Sequence, residues 1–273
     1  MLKQRVATAS FLLALLLVVL FLLPRQGFVV AVTAVFALAA WEWCNLTGFA
    51  QQWQRVAYAV FFAVLLFVLS QANVSEAHWV QPALGLTAAG WGLALVALWR
   101  YPQHVEWHQQ VVMLLMGLWL LLPPAFGLMV LHEGARGSWL ILLVIAVIAV
   151  SDIGAYLCGR RFGKRKLAVH VSPGKTWEGF WGGMAASSVF ALLAACVLHL
   201  SLSAFVLFVL AQVLTAAVSV LGDLFESMIK RERGVKDSSQ LLPGHGGVLD
   251  RIDGWTAAVP FFTLCYLVSG RFL

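Results

Sequence analysis

The sequence predicts an all-α, polytopic membrane protein of about nine transmembrane helices with a cytoplasmic N-terminus. Three observations carry this. Of the 273 residues, 62% are hydrophobic and only 11% are charged, against roughly 25% charged in an ordinary soluble domain. Mean hydropathy is +0.89. The apolar residues gather in nine runs, and nine spans place most of the basic residues on one side of a bilayer. So few charges cannot cover so much apolar side chain in water, which excludes a soluble enzyme, a disordered tail and a nucleic-acid module. The net charge of +6 then reads as basic loops facing anionic lipid and cytoplasm.

The runs lie at about 7–23, 28–48, 56–71, 80–99, 111–131, 138–158, 180–200, 204–222 and 255–270, and about 20 residues at ~1.5 Å each cross the hydrocarbon core. The first follows Lys3 and Arg5, as a signal peptide would, but ends at Pro24-Arg25 without a small-residue cleavage site, so it reads as an uncleaved anchor. The third and ninth are short and are expected to lie partly in the interface. The fifth contains Pro123-Pro124 and is expected to kink or end early. With nine spans, fifteen of the 18 Lys and Arg share the side of the N-terminus, including those of 160–175 and 230–251. The excess of basic residues makes that side cytoplasmic. Trp41, Trp43, Trp53, Trp79, Trp99, Trp107, Trp139, Trp177 and Trp255 fall near run ends and read as an aromatic belt. The four cysteines sit in apolar runs without a CxxC pair and read as small core residues.

Carboxylates divide the chain. Residues 1–150 carry only Glu42, Glu76, Glu106 and Glu133, at or near helix ends, whereas residues 151–273 carry eight. The front therefore reads as apolar scaffold with oligomer contacts, and the back as the functional part of one continuous membrane domain. Asp223, in Gly222-Asp223-Leu224-Phe225-Glu226-Ser227, is the sharpest signal. A carboxylate at membrane depth costs on the order of 3 kcal/mol unless paired or solvated, and Asp223, Ser227 and Lys230 or Arg231 share one helical face. Asp152 is a second such carboxylate, with a helix–helix hydrogen bond as its structural reading. Pro243-Gly244-His245-Gly246-Gly247 permits tight turns and the close backbone approach a phosphate needs. Asp250 and Asp253 follow at i, i+3. With phosphate oxygens and water they suit Mg²⁺, and alternatively they cap the ninth helix. His245 reads either as a phosphate contact or acid, or as a turn-stabilising residue. Ser172-Pro173-Gly174-Lys175-Thr176 resembles the end of a phosphate loop, but the upstream glycine is Val169 and no strand is expected before it, which rejects a P-loop fold. Ser172, Lys175 and Thr176 can still donate to a polyphosphate.

From Ser227 to Asp253 the chain resembles the signature of the phosphatidate cytidylyltransferases, also called CDP-diglyceride synthases. Ser227, Lys230, Arg231, Lys236, Asp237, His245, Gly246, Gly247, Asp250, Arg251 and Asp253 occupy every fixed position of that pattern. The segments Ser172–Gly179 and Gly222–Ser227 also resemble the family, so the likeness covers residues 150–260. The front half matches only in being apolar and polytopic. The resemblance implies transfer of the cytidylyl group of CTP to phosphatidate, an all-helical membrane fold, Mg²⁺, homodimers and a bacterial inner membrane. With no Arg- or Lys-rich tail with interleaved aromatics outside the membrane, no nucleic-acid partner is expected. On the basis of the resemblance Asp223, Asp250 and Asp253 are expected to hold Mg²⁺, with room for a second, monovalent cation such as K⁺. Ser172, Lys175, Thr176, Ser227, Gly246 and Gly247 are expected to hold CTP. Asp223, Lys230, Arg231, Lys236, Asp237, His245 and Arg251 are expected to act on the reacting groups, from a site open to cytoplasm and bilayer. A CTP-dependent lipid kinase and, less favoured, an ion or lipid transporter are the alternatives.

Overall fold

The computed structural model describes residues 2–49, 51–71, 78–103, 109–134 and 136–269, with side chains from residue 6 onward. Glu76, Glu106, Trp107, Arg271 and the side chains of Lys3 and Arg5 lie outside the described residues.

Among the described residues nine helices appear, one for each apolar run: α1 (Leu2–Phe21), α2 (Arg25–Leu46), α3 (Gln52–Ser70), α4 (Val80–Arg100), α5 (Gln110–His132), α6 (Gly137–Phe162), α7 (Trp177–Val197), α8 (Leu202–Glu232) and α9 (Leu249–Val268). The seven from α2 to α8 are long and apolar enough to cross a membrane, and the apolar part of α1, Val6–Phe21, is shorter. The basic residues Arg160 and Arg161 end α6 and Lys230 and Arg231 end α8, where they complement the negative helix terminus. At 31 residues, α8 is about 46 Å long at ~1.5 Å per residue. That exceeds the ~30 Å hydrocarbon core and leaves length for its polar last turns. Gly234, at φ 66°, closes it: its N–H donates to the Arg231 carbonyl and that of Val235 to the Lys230 carbonyl, the Schellman arrangement that only glycine adopts cheaply.

Two local expectations are corrected. α5 does not end at Pro123-Pro124 but continues to His132. The prolines remove two backbone donors, yet Leu120, Leu121, Ala125, Leu128 and Leu131 are all buried around them, and that packing carries the backbone across the gap. Strands also precede α7. β1 (Lys166–Ala168) and β2 (Ser172–Thr176) form an antiparallel ribbon with Lys166 opposite Thr176 and Ala168 opposite Ser172. Such short strands leave no hydrophobic period to read.

The chain forms two compact units that interleave along the sequence. The first comprises Met1–Ala77, Val105–Ser138 and Ile229–Asp253, and so contains α1, α2, α3, α5 and the loop between α8 and α9. Its core joins Phe36 and Trp43 of α2, Phe62 and Leu66 of α3, and Leu120 and Leu121 of α5, all buried. Trp43 belongs to no interfacial belt. It is fully buried and donates to the Met113 carbonyl at 2.8 Å, while Gly117 supplies the space for its ring. Tyr58 donates to the Leu114 carbonyl, also at 2.8 Å. Trp53, Trp79, Trp99, Trp139 and Trp177 stay exposed.

The second unit comprises His78–His104, Trp139–Met228 and Gly254–Leu273. Within it α6 and α7 meet through small residues, since side chains there would strike the facing backbone. A Cβ on Gly154 would lie 2.9 Å from the Gly182 carbonyl, on Gly179 2.9 Å from that of Ala155, and on Gly183 2.7 Å from that of Ser151. Close backbone approach of this kind supplies the packing that drives helix association in lipid. Gly183→Ala is therefore expected to destabilise by roughly 1–3 kcal/mol through overpacking, read as a fall of several degrees in the melting temperature in detergent. Gly85→Ala, where a Cβ meets nothing within 4 Å, is expected to leave it unchanged or slightly raised.

Candidate active site

The first unit carries the glycine-rich loop. Between α8 and α9 its backbone contributes an isolated bridge, Leu242 to Gly246, and a turn in which the His245 N–H donates to the Leu242 carbonyl. Gly244 and Gly246 have φ of 76° and 78°, which residues with side chains rarely adopt. Lys236, Asp237, Ser239, Gln240, His245 and Arg251 are among the residues lining an open cavity of about 750 Å³. Two cations, one carboxylate and an imidazole thus face one volume. It falls within the range of small-molecule sites, roughly 300–1,000 Å³. The Nδ1 of His245 is buried without a hydrogen-bond partner.

Two buried carboxylates hold this loop. Asp250 accepts from the Lys230 ammonium at 2.6 Å on Oδ1, and on Oδ2 from the Ser238 N–H at 2.9 Å, the Ser238 hydroxyl at 2.9 Å and the Gly247 N–H at 2.8 Å. Burial pushes the Asp250 carboxyl up, but the Lys230 ammonium and the N–H groups of Gly247 and Ser238 outweigh it and leave it below the ordinary carboxylate value. The second carboxylate, Glu42 of α2, escaped the sequence reading, which took it for a helix-end residue. It is completely buried. Its Oε1 accepts from the Ser239 hydroxyl at 2.5 Å and the Val248 N–H at 2.9 Å, and its Oε2 from the Leu249 N–H at 2.6 Å and the Ser238 hydroxyl at 3.2 Å. The available signal was a carboxylate inside an apolar run, which by default marks function. The glycine pair follows from this packing. A Cβ on Gly246 would lie 2.7 Å from Asp250 Oδ2, and one on Gly247 2.6 and 2.7 Å from the two Glu42 oxygens.

The second unit carries the other candidate residues. β2 presents Lys175 to Asp223 of α8 at 2.6 Å, and Ser227 one turn on donates to Asp223 Oδ1 at 3.3 Å. The ionic partner of Asp223 is thus Lys175, whereas the helical-face reading had offered Lys230 or Arg231. Lys230 serves Asp250, and Arg231 donates to the Val235 carbonyl. Thr176 is buried and N-caps α7 by accepting from the Gly179 N–H. The neighbouring Glu178 accepts from the N–H groups of Lys164 and Arg165, which pins the ribbon. Ser172 lies half-buried on β2, Asp253 half-buried on α9, and Arg251 exposed. Among the described residues no three His, Cys, Asp or Glu side chains gather as a ready-made metal centre.

Residues 3–269 match the cytidylyltransferase family. A phosphatidate cytidylyltransferase of Pseudomonas aeruginosa is 46% identical over 274 residues, covering 99% of this chain and 98% of that protein. One of Haemophilus influenzae is 42% identical over 288 residues, covering 97% and 99%. One of Brucella suis is 35% identical over 241 residues, covering 88% and 76%. The likeness therefore runs through the apolar front half, where the signature gave none.

The two ion pairs differ in exposure. The side chains of Lys230 and Asp250 are 9% and 5% exposed, those of Lys175 and Asp223 27% and 31%. Breaking a buried pair from one side leaves an uncompensated charge, so Lys230→Met is expected to destabilise by about 3–5 kcal/mol. Lys175→Met is expected to cost no more than about 1 kcal/mol. Melting curves of the two variants in one detergent compare them, and equal losses would contradict this ordering.

Proposed function

This chain belongs to the cytidylyltransferase family, and from that premise we infer that it transfers the cytidylyl group of CTP to phosphatidate, giving CDP-diacylglycerol and diphosphate. The observation that carries this is full-length identity of 46% and 42% to proteins named phosphatidate cytidylyltransferase, together with a signature matched at every fixed position. Nothing in these likenesses favours a lipid kinase or a transporter. The chain is an integral membrane protein by its apolar helices, as a lipid substrate requires. We further propose a bacterial inner membrane, a site facing the cytoplasm, a homodimeric assembly and no nucleic-acid partner, on the strength of the basic-residue asymmetry and the family resemblance.

In this reaction an oxygen of the phosphatidate phosphate attacks the α-phosphorus of CTP, and the bond from that phosphorus to the bridging oxygen breaks to release diphosphate. The attacking oxygen is already ionised, so no strong base is needed. The main obstacle is repulsion between two anions. Lys236 and Arg251 at the cavity, and Lys175 on its ribbon, are the cations available to screen it. Arg231 is proposed to act from the end of α8, and Lys230, held on Asp250, to act through that pair by keeping the loop in place. Ser172, Thr176, Ser227 and the Gly246 N–H are proposed as phosphate donors, with Asp237 and His245 beside Gly246 at the cavity; Gly247, whose N–H is given to Asp250, is proposed to shape the loop that meets the phosphates. Positioning and electrostatics then supply most of the rate.

Carboxylate oxygens suit a hard divalent cation. Asp223, already against an ammonium and about a third exposed, fits that role. Mg²⁺ seldom takes an all-protein cage and completes its shell from phosphates and water. On the strength of the motif Asp223 and Asp253 are proposed to hold it, while Asp250, which the motif also offers, has both oxygens engaged by Lys230, Ser238 and Gly247 and stays with the frame; K⁺ is proposed as a second cation. When bound, Mg²⁺ supplies neutralisation of the diphosphate leaving group.

Purified protein given radiolabelled CTP, phosphatidate and Mg²⁺ is expected to place cytidine label in the lipid extract with release of diphosphate, to stop with EDTA and to resume with added Mg²⁺. Release of CDP without labelled lipid would identify a kinase instead. Asp223→Asn is expected to lower kcat on the order of a hundredfold with little change in melting temperature. Activity within about threefold of the parent at saturating Mg²⁺ would remove Asp223 from the metal role.

A further inference from the structure

We propose that Glu42, in the apolar front half, is a positioning residue for cytidylyl transfer, a role that rests on the activity inferred above. All four donors to Glu42 come from one place: the Ser238 and Ser239 hydroxyls on one limb of the loop, and the Val248 and Leu249 N–H groups where the other limb enters α9. One carboxylate thereby ties both limbs. Between them hang residues 240–246, which supply most of the cavity's lining. A side chain that merely closed a helix end would be more cheaply local, since Ser, Thr, Asn or Asp at the helix start satisfies the first N–H groups. Here the residue before α9 is Val248, whose side chain has no acceptor, and Gly247 before it lacks the Cβ that would exclude the Glu42 oxygens. The donors at Val248 and Leu249 are met from 206 and 207 residues away. A buried carboxylate is costly unless several donors converge on it. Its effect here is to fix where the loop stands on α2, whose next residue, Trp43, is locked in the core.

Glu42→Gln keeps the shape but turns one acceptor into an amide donor facing N–H or hydroxyl donors. In protein that stays monodisperse and melts within a few degrees of the parent, the KM for CTP is expected to rise about fivefold or more while the KM for phosphatidate stays within about twofold. Ser239→Ala, which removes one donor to Glu42, is expected to shift the same constant by about two- to threefold, and the double variant by less than the product of the two. A uniform loss of active enzyme would lower the maximal rate alone. The idea fails if folded Glu42→Gln leaves both KM values unchanged, if both rise together, or if the two substitutions multiply. Should Glu42→Gln not fold, an unchanged CTP KM in Ser239→Ala overturns it and a raised one supports it. Should the parent protein make no CDP-lipid, the activity reading fails separately. Equilibrium dialysis of labelled CTP against parent, Glu42→Gln and Ser239→Ala proteins then compares CTP binding directly, and equal affinities sink the positioning role.

Discussion

A loop with little backbone structure of its own is held in place by two carboxylates removed from water. A buried carboxylate costs several kcal/mol, which is tolerable only where several N–H and O–H donors converge on it. Glu42 and Asp250 draw on seven such donors between them. They are not independent. The Ser238 hydroxyl lies 2.9 Å from Asp250 and 3.2 Å from Glu42, and it has a single proton to give. A change at either carboxylate is therefore felt at the other, and the glycine loop, the start of α9 and the end of α2 behave as one mechanical piece.

This arrangement gives physical content to a motif that otherwise reads as a string of letters. Gly246 and Gly247 are glycines because the chain passes over carboxylate oxygens at distances a Cβ would violate. Asp250 stands three residues after Gly247 because that spacing lets it accept from the Gly247 N–H while facing Lys230. Lys230 and Arg231 close α8 in a basic turn ended by Gly234, which directs the chain into the loop. Lys236, Asp237, His245 and Arg251 remain at the cavity wall, placed by this frame.

The helices were readable because hydropathy alone marks an element that must satisfy its backbone within lipid: all nine runs became helices, and α9 begins one residue before Asp250. What hydropathy could not carry was anything decided by packing. Pro123-Pro124 reads locally as a break, yet buried neighbours preserve α5. Trp43 reads as interfacial by its place near a run end, yet its indole fills the space left by Gly117. The ribbon before α7 is too short to show a period. Lys175 and Asp223, 48 residues apart, each looked chemically active, but their pairing depends on how β2 meets α8. Glu42 is the least legible of these, since its partners lie about 200 residues away along the chain. The charge in an apolar run was the visible clue, and only its contacts gave it meaning.

The two lysine–aspartate pairs serve different ends, and exposure decides which is which. Lys230 and Asp250 are nearly inaccessible, so the attraction between them is strong and neither can be released without stranding the other. That pair is part of the frame. Lys175 and Asp223 are about a quarter to a third exposed, where an ion pair contributes little net free energy because water competes for both charges. A phosphate reaching Lys175 or a cation reaching Asp223 thus meets a partner that parts at small cost. The backbone beneath Lys175 does not share this freedom. β2 is paired to β1, and Glu178 fastens the chain at Lys164 and Arg165. A flexible four-carbon stem on a fixed strand lets the ammonium transfer from carboxylate to phosphate without rearranging the fold. An enzyme that brings two polyanions together needs charges of this kind: held in place while the site is empty, and free to follow the substrate when it fills.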